Sequence, residues 1–278
     1  MMKNSSILVD KKNIKSIAIG GFDGMHIAHQ ELFKHLESFG AIVCIETGYA
    51  NLTPKSFRQE YTNYPIYYYI LENIKKLDGL EFIKLLKQEF PNLKKIVVGF
   101  DFCFGKNRKH CIEDLKNLFD GEVIIIKEIK IDNFPVHSRY IREFLKDGEI
   151  KKANKFLGKN YKIYGTSIKG QGLGKSDFVP TINLRVDNFL LPKDGVYITN
   201  TIIDNIEYNS VSFIGNRKTT DNNFAIETHI LEKNIEFENP HISIKFIEKI
   251  RDNKKFDNFL ELKNQILNDI DIAKKYFY

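Results

Sequence analysis

Two short stretches of the chain hold residue types suited to phosphate chemistry. In AIGGFDGMHIAHQ (18–30), Gly20, Gly21 and Gly24 mark a turn between an apolar run and an amphipathic one, and His26 and His29 follow three residues apart. Glycines let a backbone turn sharply and approach a ligand closely. A helix starting near Ile27 aims free N–H groups and the positive end of its dipole at that turn, which suits an anion. At helical spacing the two imidazoles share a face, where they can stabilise a phosphate that gains charge in a transition state. A zinc pair is a second reading, but zinc needs one or two more ligands at motif spacing and none stands nearby. A surface coincidence is the third.

The second stretch is GTSIKGQGLGKSDFVPTINL (165–184). Gly170, Gly172 and Gly174 ahead of Lys175-Ser176 invite comparison with a Walker loop. That pattern needs a glycine separated by four residues from the Gly174-Lys175 pair, and Lys169 stands there. The loop also leads into a strand-like run, not a helix. It remains a candidate for a loop whose amides cover phosphates. On a strand, Thr181 and Asn183 face the same way and offer hard oxygen ligands for a divalent cation held by nucleotide phosphates. In FAIETHIL (224–231), Glu227 shares a face with Ala225, His229 and Leu231. A carboxylate there is either on an exposed strand face or in a functional site.

These residues need elements to hold them. The first ~160 residues alternate strand and helix patterns, which argues for a parallel sheet with helices on its faces. IKSIAIG, AIVCIE, KKIVVG and EVIIIKEIKI read as strands. Helices are expected near 28–39, 64–77 (YPIYYYILENIKKL), 81–90, 113–119, 138–148 and 151–158. Ser138 sits where a helix N-cap would stand. Asp101, Phe102 and Phe104 lie in a loop after a strand, where the aromatics serve either the core or a ligand. From Tyr161 onward six short alternating runs, separated by Gly, Asn, Asp and Pro, predict a small antiparallel barrel or sandwich. Phe259, Leu262, Ile266, Ile270 and Ala273 then form the stripe of one terminal helix. The boundary falls near 158–162.

Composition limits the classes. With 278 residues there is enough chain for two cores without disulfide or metal staples. Lys+Arg 42 against Asp+Glu 36 gives +6, too mixed for a nucleic-acid protein and compatible with small anions. No run approaches the ~18 apolar residues of a membrane span. Three cysteines in no framework, behind a start without an apolar signal region, predict reduced thiols in a cytoplasm.

The turn GFDGMHIAH is similar to the G-x-F-D-G-x-H-x-G-H turn of prokaryotic FAD synthetases, within the nucleotidylyltransferase superfamily. VVGFDFCFGKNR (97–108) and HSRYIREFLKDGEIKKANKFLG (137–158) resemble that family's later segments in order. The glycine loop, Pro180-Thr181-Ile182-Asn183 and the Glu227 strand resemble the riboflavin kinase module fused behind it. The resemblance implies a nucleotidylyltransferase-like Rossmann-type α/β domain (1–158) followed by a small antiparallel β-barrel domain with a C-terminal helix (159–278). It implies phosphorylation of riboflavin to FMN and adenylylation of FMN to FAD, with ATP and Mg2+. Glu227 would be the kinase base, and Thr181 and Asn183 the metal ligands. His26, His29 and Ser138 would contact ATP phosphates, and Arg142 the departing pyrophosphate. Gly20, Gly21, Phe22, Asp23, Gly24, Asp101, Gly170, Gly172, Gly174 and Arg251 would line the nucleotide and flavin sites.

The chain departs from the family at several points. Gly21 replaces Asn, Ala28 replaces Gly, His137 and Arg139 replace Ser and Thr, and TGYANLTPKSF lacks F-x-P-H-P. These departures motivate an alternative, a monofunctional riboflavin kinase behind a degenerate first domain.

Overall fold

The computed structural model describes residues 9–168, 179–233 and 235–278. Two compact units divide the chain, Met1–Ser138 and Arg139–Tyr278.

The first unit contains β1 (Ser16–Gly20), α1 (Ile27–Lys34), β2 (Gly40–Glu46), β3 (Ile66–Ile70), α2 (Leu71–Ile74), α3 (Gly79–Glu89), β4 (Lys95–Gly99), α4 (Ile112–Leu118), β5 (Glu122–Ile126), β6 (Lys130–Ile131) and β7 (Phe134–Pro135). Five strands form one parallel sheet in the order β3-β2-β1-β4-β5. Both faces are covered, so β1, β2 and β4 are nearly continuous apolar runs. Ile17, Ile19, Val43, Ile96 and Val98 meet Phe82, Ile83 and Leu86 of α3 and Leu115 of α4. Ala18, Ile42, Cys44 and Val97 meet Leu32 and Phe33 of α1.

YPIYYYILENIKKL is not one helix. Ile66–Ile70 is the edge strand β3, and only Leu71–Ile74 turns helical. Aromatic and β-branched residues favour a pleated surface over a helix. Tyr67 and Tyr69 join the core, while Tyr68 faces outward and its hydroxyl donates to Lys55 O at 2.9 Å.

Helix α5 (Ser138–Asp147) crosses the division, and α6 (Ile150–Leu157) follows. Gly148 (φ +81°) and Gly158 (φ +73°) stop these helices in the left-handed conformation that glycine adopts without penalty. The second unit continues with β8 (Tyr161–Ile168), β9 (Ile182–Arg185), β10 (Gly195–Ile203), β11 (Ile206–Asn216), β12 (Phe224–Ile230), β13 (His241–Asp252) and α7 (Phe259–Phe277). The six strands close into a barrel, β10-β11-β12-β9-β8-β13. Thr199, Thr201, Ser210, Ser212 and Thr228 are buried together and satisfy one another at 2.7–3.0 Å. Ile270 and Ala273 of α7 pack on Val196, Ile198 and Val211. Phe259 is 57% exposed and lies outside that stripe.

Candidate active sites

In the first unit the glycine turn leaves the carboxyl end of the central strand β1, beside the point where strand order reverses between β1 and β4. Open α/β sheets bind ligands at that point. A side chain at Gly20 would crowd the Phe22 ring, because an added Cβ would lie 3.0 Å from it and the ring would have to shift. Phe22 (φ +49°), Gly24 (φ +87°) and Met25 (φ +44°) carry the chain round to α1. His26 caps that helix, its Nδ1 accepting the His29 N–H at 3.4 Å. An accepting Nδ1 makes Nε2 the protonated nitrogen of the neutral ring. The two imidazoles stack at 3.5 Å and 19°. Phe22 is buried and meets the His29 ring edge-on at 5.1 Å, so it supports a histidine from beneath.

Asp23 is committed within the fold. Its carboxylate accepts from the N–H groups of Asn51, Leu52 and Thr53 at 2.9–3.3 Å, which ties the loop after β2 to the glycine turn. The Ser138 hydroxyl donates to Asp23 O at 2.7 Å, fastening the start of α5 to the same turn. Ser138 is therefore the first residue of its helix and binds the turn's backbone. Cys44 donates to Gly21 O at 3.3 Å, and burial pushes its thiol pKa up to about 12, so it is an inert packing group. Arg58, fully buried, pairs with Glu46 at the end of β2. Asp101 is exposed just beyond β4. Phe104 is core, 5.8 Å from Phe82. Arg142 lies one helical turn beyond Ser138, in the second unit.

In the second unit the strand pairing assembles the other group. Asn183 stands between Glu227 on one side and Ile168 on the other, in register with both. Phe213 is the cross-strand partner of Glu227 from β11. Burial raises the Glu227 pKa. Arg217, whose Nη1 lies 3.3 Å from the carboxylate, pulls it down, and Asp221 adds to the rise. Arg217 is itself held by Asp221 at 2.9 Å. Strand β9 begins at Ile182, so Thr181 lies one residue before it. Gly170, Gly172 and Gly174 lie outside the described residues.

A metal is testable against this donor set. Among the described residues no group of three or more His, Cys, Asp or Glu side chains is placed to hold an ion. A thiolate or imidazole site is therefore not what these residues build. Asn183, a neutral hard oxygen donor opposite the Glu227 carboxylate, is of a type that suits an oxygen-seeking cation, as is Thr181 two residues before it.

Residues 52–140 match the model of the FAD synthetase family and residues 157–277 that of the riboflavin kinase family. A curated relative from Buchnera aphidicola, a bifunctional riboflavin kinase/FMN adenylyltransferase, is 30% identical over 94% of this chain and 93% of its own length. The chain belongs to the bifunctional riboflavin kinase/FMN adenylyltransferase family. Another member, from Bacillus subtilis, is 27% identical over 97% of this chain and 95% of its own. A crystal structure titled as a macrolide-efflux protein of Streptococcus pneumoniae superposes with a TM-score of 0.85 at 27% identity, covering 97% of this chain and 96% of that one. Efflux is the description of that protein. No helix among the described residues of this family member is long and apolar enough to cross a membrane.

Within the family frame, the glycine turn precedes the FAD synthetase match, Ser138 lies inside it and Arg142 just beyond. Two side chains escaped the sequence reading: Arg217 reaches Glu227 only through the β11–β12 hairpin, and Arg58 lay in a segment with no readable period. His229 was legible on the Glu227 face, but its partner Pro180 is 49 residues away and is met only across the β12–β9 pairing. Arg251 makes three contacts of 2.8–3.0 Å with Asp269 of α7, itself 2% exposed. That latch ties the end of β13 to the terminal helix.

Proposed function

We propose that this family member phosphorylates riboflavin to FMN in its barrel unit and adenylylates FMN to FAD through its glycine turn, with ATP as donor in both reactions. The observation that carries the kinase reading is the register of Glu227 opposite Asn183. In phosphorylation, Glu227 takes the proton of the riboflavin 5′-hydroxyl. The freed oxygen bonds to the γ-phosphorus, the bond to the β-phosphate oxygen breaks, and ADP leaves. Burial keeps Glu227 basic and Arg217 keeps it ionised, which is the balance a base requires. Thr181 and Asn183 would hold Mg2+, which when bound neutralises charge on the nucleotide phosphates.

In adenylylation an FMN phosphate oxygen attacks the α-phosphorus of ATP and pyrophosphate leaves. No protein nucleophile is needed, so positioning and charge stabilisation are the protein's whole contribution. The stacked His26 and His29 and the amides at the start of α1 are suited to hold phosphates over Gly20 and Gly21. Ser138 braces the turn through Asp23 O and keeps its lone pairs as acceptors. Arg142 takes the role of cation for the pyrophosphate. Gly24 and Asp101 border the nucleotide site, and Gly170, Gly172 and Gly174 cover the kinase's ATP. Domain labels follow this partition, 1–158 for adenylylation and 159–278 for phosphorylation. The enzyme works on small soluble flavins and ATP in the cytoplasm, without nucleic acid.

Chromatography of products after incubation with riboflavin, ATP and Mg2+ tests the reading. FMN followed by FAD is the expected sequence. FMN alone, with added FMN also left unadenylylated, would reduce the enzyme to a kinase.

A further inference from the structure

The β12–β9 ladder is short. It pairs Glu227 with Asn183 and Thr228 with Ile182 and stops there. Continued in the same antiparallel register, it would next set His229 against Thr181 and Ile230 against Pro180. The chain turns away from that continuation at a proline, which has no N–H to give a ladder. Its carbonyl is nevertheless taken: His229 Nδ1 lies 2.8 Å from Pro180 O. A carbonyl only accepts, so Nδ1 carries the proton. Burial lowers the His229 pKa, the bond to the Pro180 carbonyl opposes it and Lys274 adds to the fall, so the net shift is downward. In the neutral ring the bond to Pro180 O makes Nδ1–H the tautomer. The side chain of β12 thus engages the one ladder group that Pro180 retains, its carbonyl, where the backbone pairing has stopped.

Thr181 is the residue caught between these two fastenings. On its far side Ile182 is in the ladder with Thr228, and on its near side Pro180 O is held by His229. Without the imidazole, nothing in the β12–β9 pairing reaches past Ile182. Asn183 would stay in register with Glu227 while Thr181 would not. We infer that His229 is a positioning residue for phosphoryl transfer, which by donating to Pro180 O extends the β12–β9 pairing past the proline and fixes Thr181 beside Asn183 and Glu227. The inference rests on the kinase reading of the barrel unit. It assigns His229 no contact with substrate and no proton transfer.

The atom that donates makes the test specific. Asn places its amide nitrogen near the position of Nδ1, whereas Gln reaches toward Nε2. In the full-length enzyme, His229→Ala should raise the Mg2+ concentration for half-maximal riboflavin phosphorylation by about tenfold or more, the usual effect of removing a group that orients a metal ligand. His229→Asn should restore most of that loss, and His229→Gln should not. Amide hydrogen exchange gives a readout independent of turnover. In His229→Ala, exchange should accelerate in the peptide spanning 179–185 and stay unchanged across β10 and β11, which also shows that the barrel is folded. Unchanged Mg2+ dependence and exchange in His229→Ala, beside an active wild type, would overturn the inference and leave the kinase reading intact. So would a loss confined to kcat that Asn does not rescue, since that pattern belongs to an imidazole moving a proton. A wild-type enzyme that makes no FMN would remove the kinase reading itself and this inference with it.

Discussion

Glu227 shows how one residue's surroundings set its chemistry. Its carboxylate is raised by burial and lowered by Arg217, and the two effects oppose each other on a single strand position. Glu227→Gln removes the base and keeps the shape, so riboflavin phosphorylation should fall roughly 10²–10⁴-fold, while adenylylation of supplied FMN continues; a kinase rate close to wild type would exclude the residue from the mechanism. Arg217→Met should act through the same carboxylate. Without the cation the Glu227 pKa rises further, the base is protonated at higher pH, and the acid limb of kinase kcat/KM moves upward. An unmoved limb would mean that Glu227 does not set it. Of these groups the carboxylate was legible in the sequence, because an acid among apolar alternation stands out. Arg217 was not, because ten residues and a turn separate it from Glu227 and only the β11–β12 hairpin brings them together. Asp23 was legible as a motif position, but that its carboxylate holds the amides of 51–53 depends on a loop with no pattern of its own.

Elements were readable where one period dominated. Strands β1, β2 and β4 stood out as short apolar runs, and α5 and α6 were bounded by glycines that do stop them. The tyrosine-rich segment misled because Ile and Tyr at successive positions fit either period, and the sheet edge on β2 decided for a strand. Strand β9 starts one residue late for a comparable reason: proline ends its ladder and a side chain takes over. The terminal helix was legible as a stripe, but its anchor is polar. Asp269 is buried and Arg251 reaches it from β13. Breaking a buried ion pair from one side costs about 3–5 kcal/mol, and partial exposure of Arg251 reduces this to roughly 2–3. Asp269→Ala should lower the stability of the barrel unit by that amount in urea unfolding. The double replacement Arg251→Met/Asp269→Leu, which leaves no unpaired charge, should be milder. Equal losses in the single and double variants would mean that α7 is held by its apolar face alone.

At the scale of the molecule, the shift from alternating strand and helix to short strands marks residues 158–162, whereas the compact units divide at Ser138. The difference is α5 and α6. Lys193 N–H bonds Leu145 O at 2.9 Å, and Asn154 reaches Phe246 O at 2.8 Å while accepting the Tyr161 N–H at 2.8 Å. These bonds pack both helices with the barrel, and a helical period cannot tell which neighbour a helix will choose. The chain then passes from α6 to β8 through Lys159, whose ammonium is brought down to about 7 by burial, with Lys162 adding to the shift. Below pH ~7 the residue is charged in both folded and unfolded chains, and the folded state bears the full desolvation penalty. Between there and the unfolded pKa near ~10.4, the unfolded chain binds the extra proton, so stability rises with pH across that window. Lys159→Met removes the titration. It should therefore exceed wild type in stability most at pH 6, and the gap should close as pH rises, by at most ~1.4 kcal/mol per pH unit. Urea unfolding of both proteins at pH 6, 7, 8 and 9 measures the gap directly, since every other titrating group is common to the two. A gap that does not change with pH would show that Lys159 stays solvated and charged at the junction.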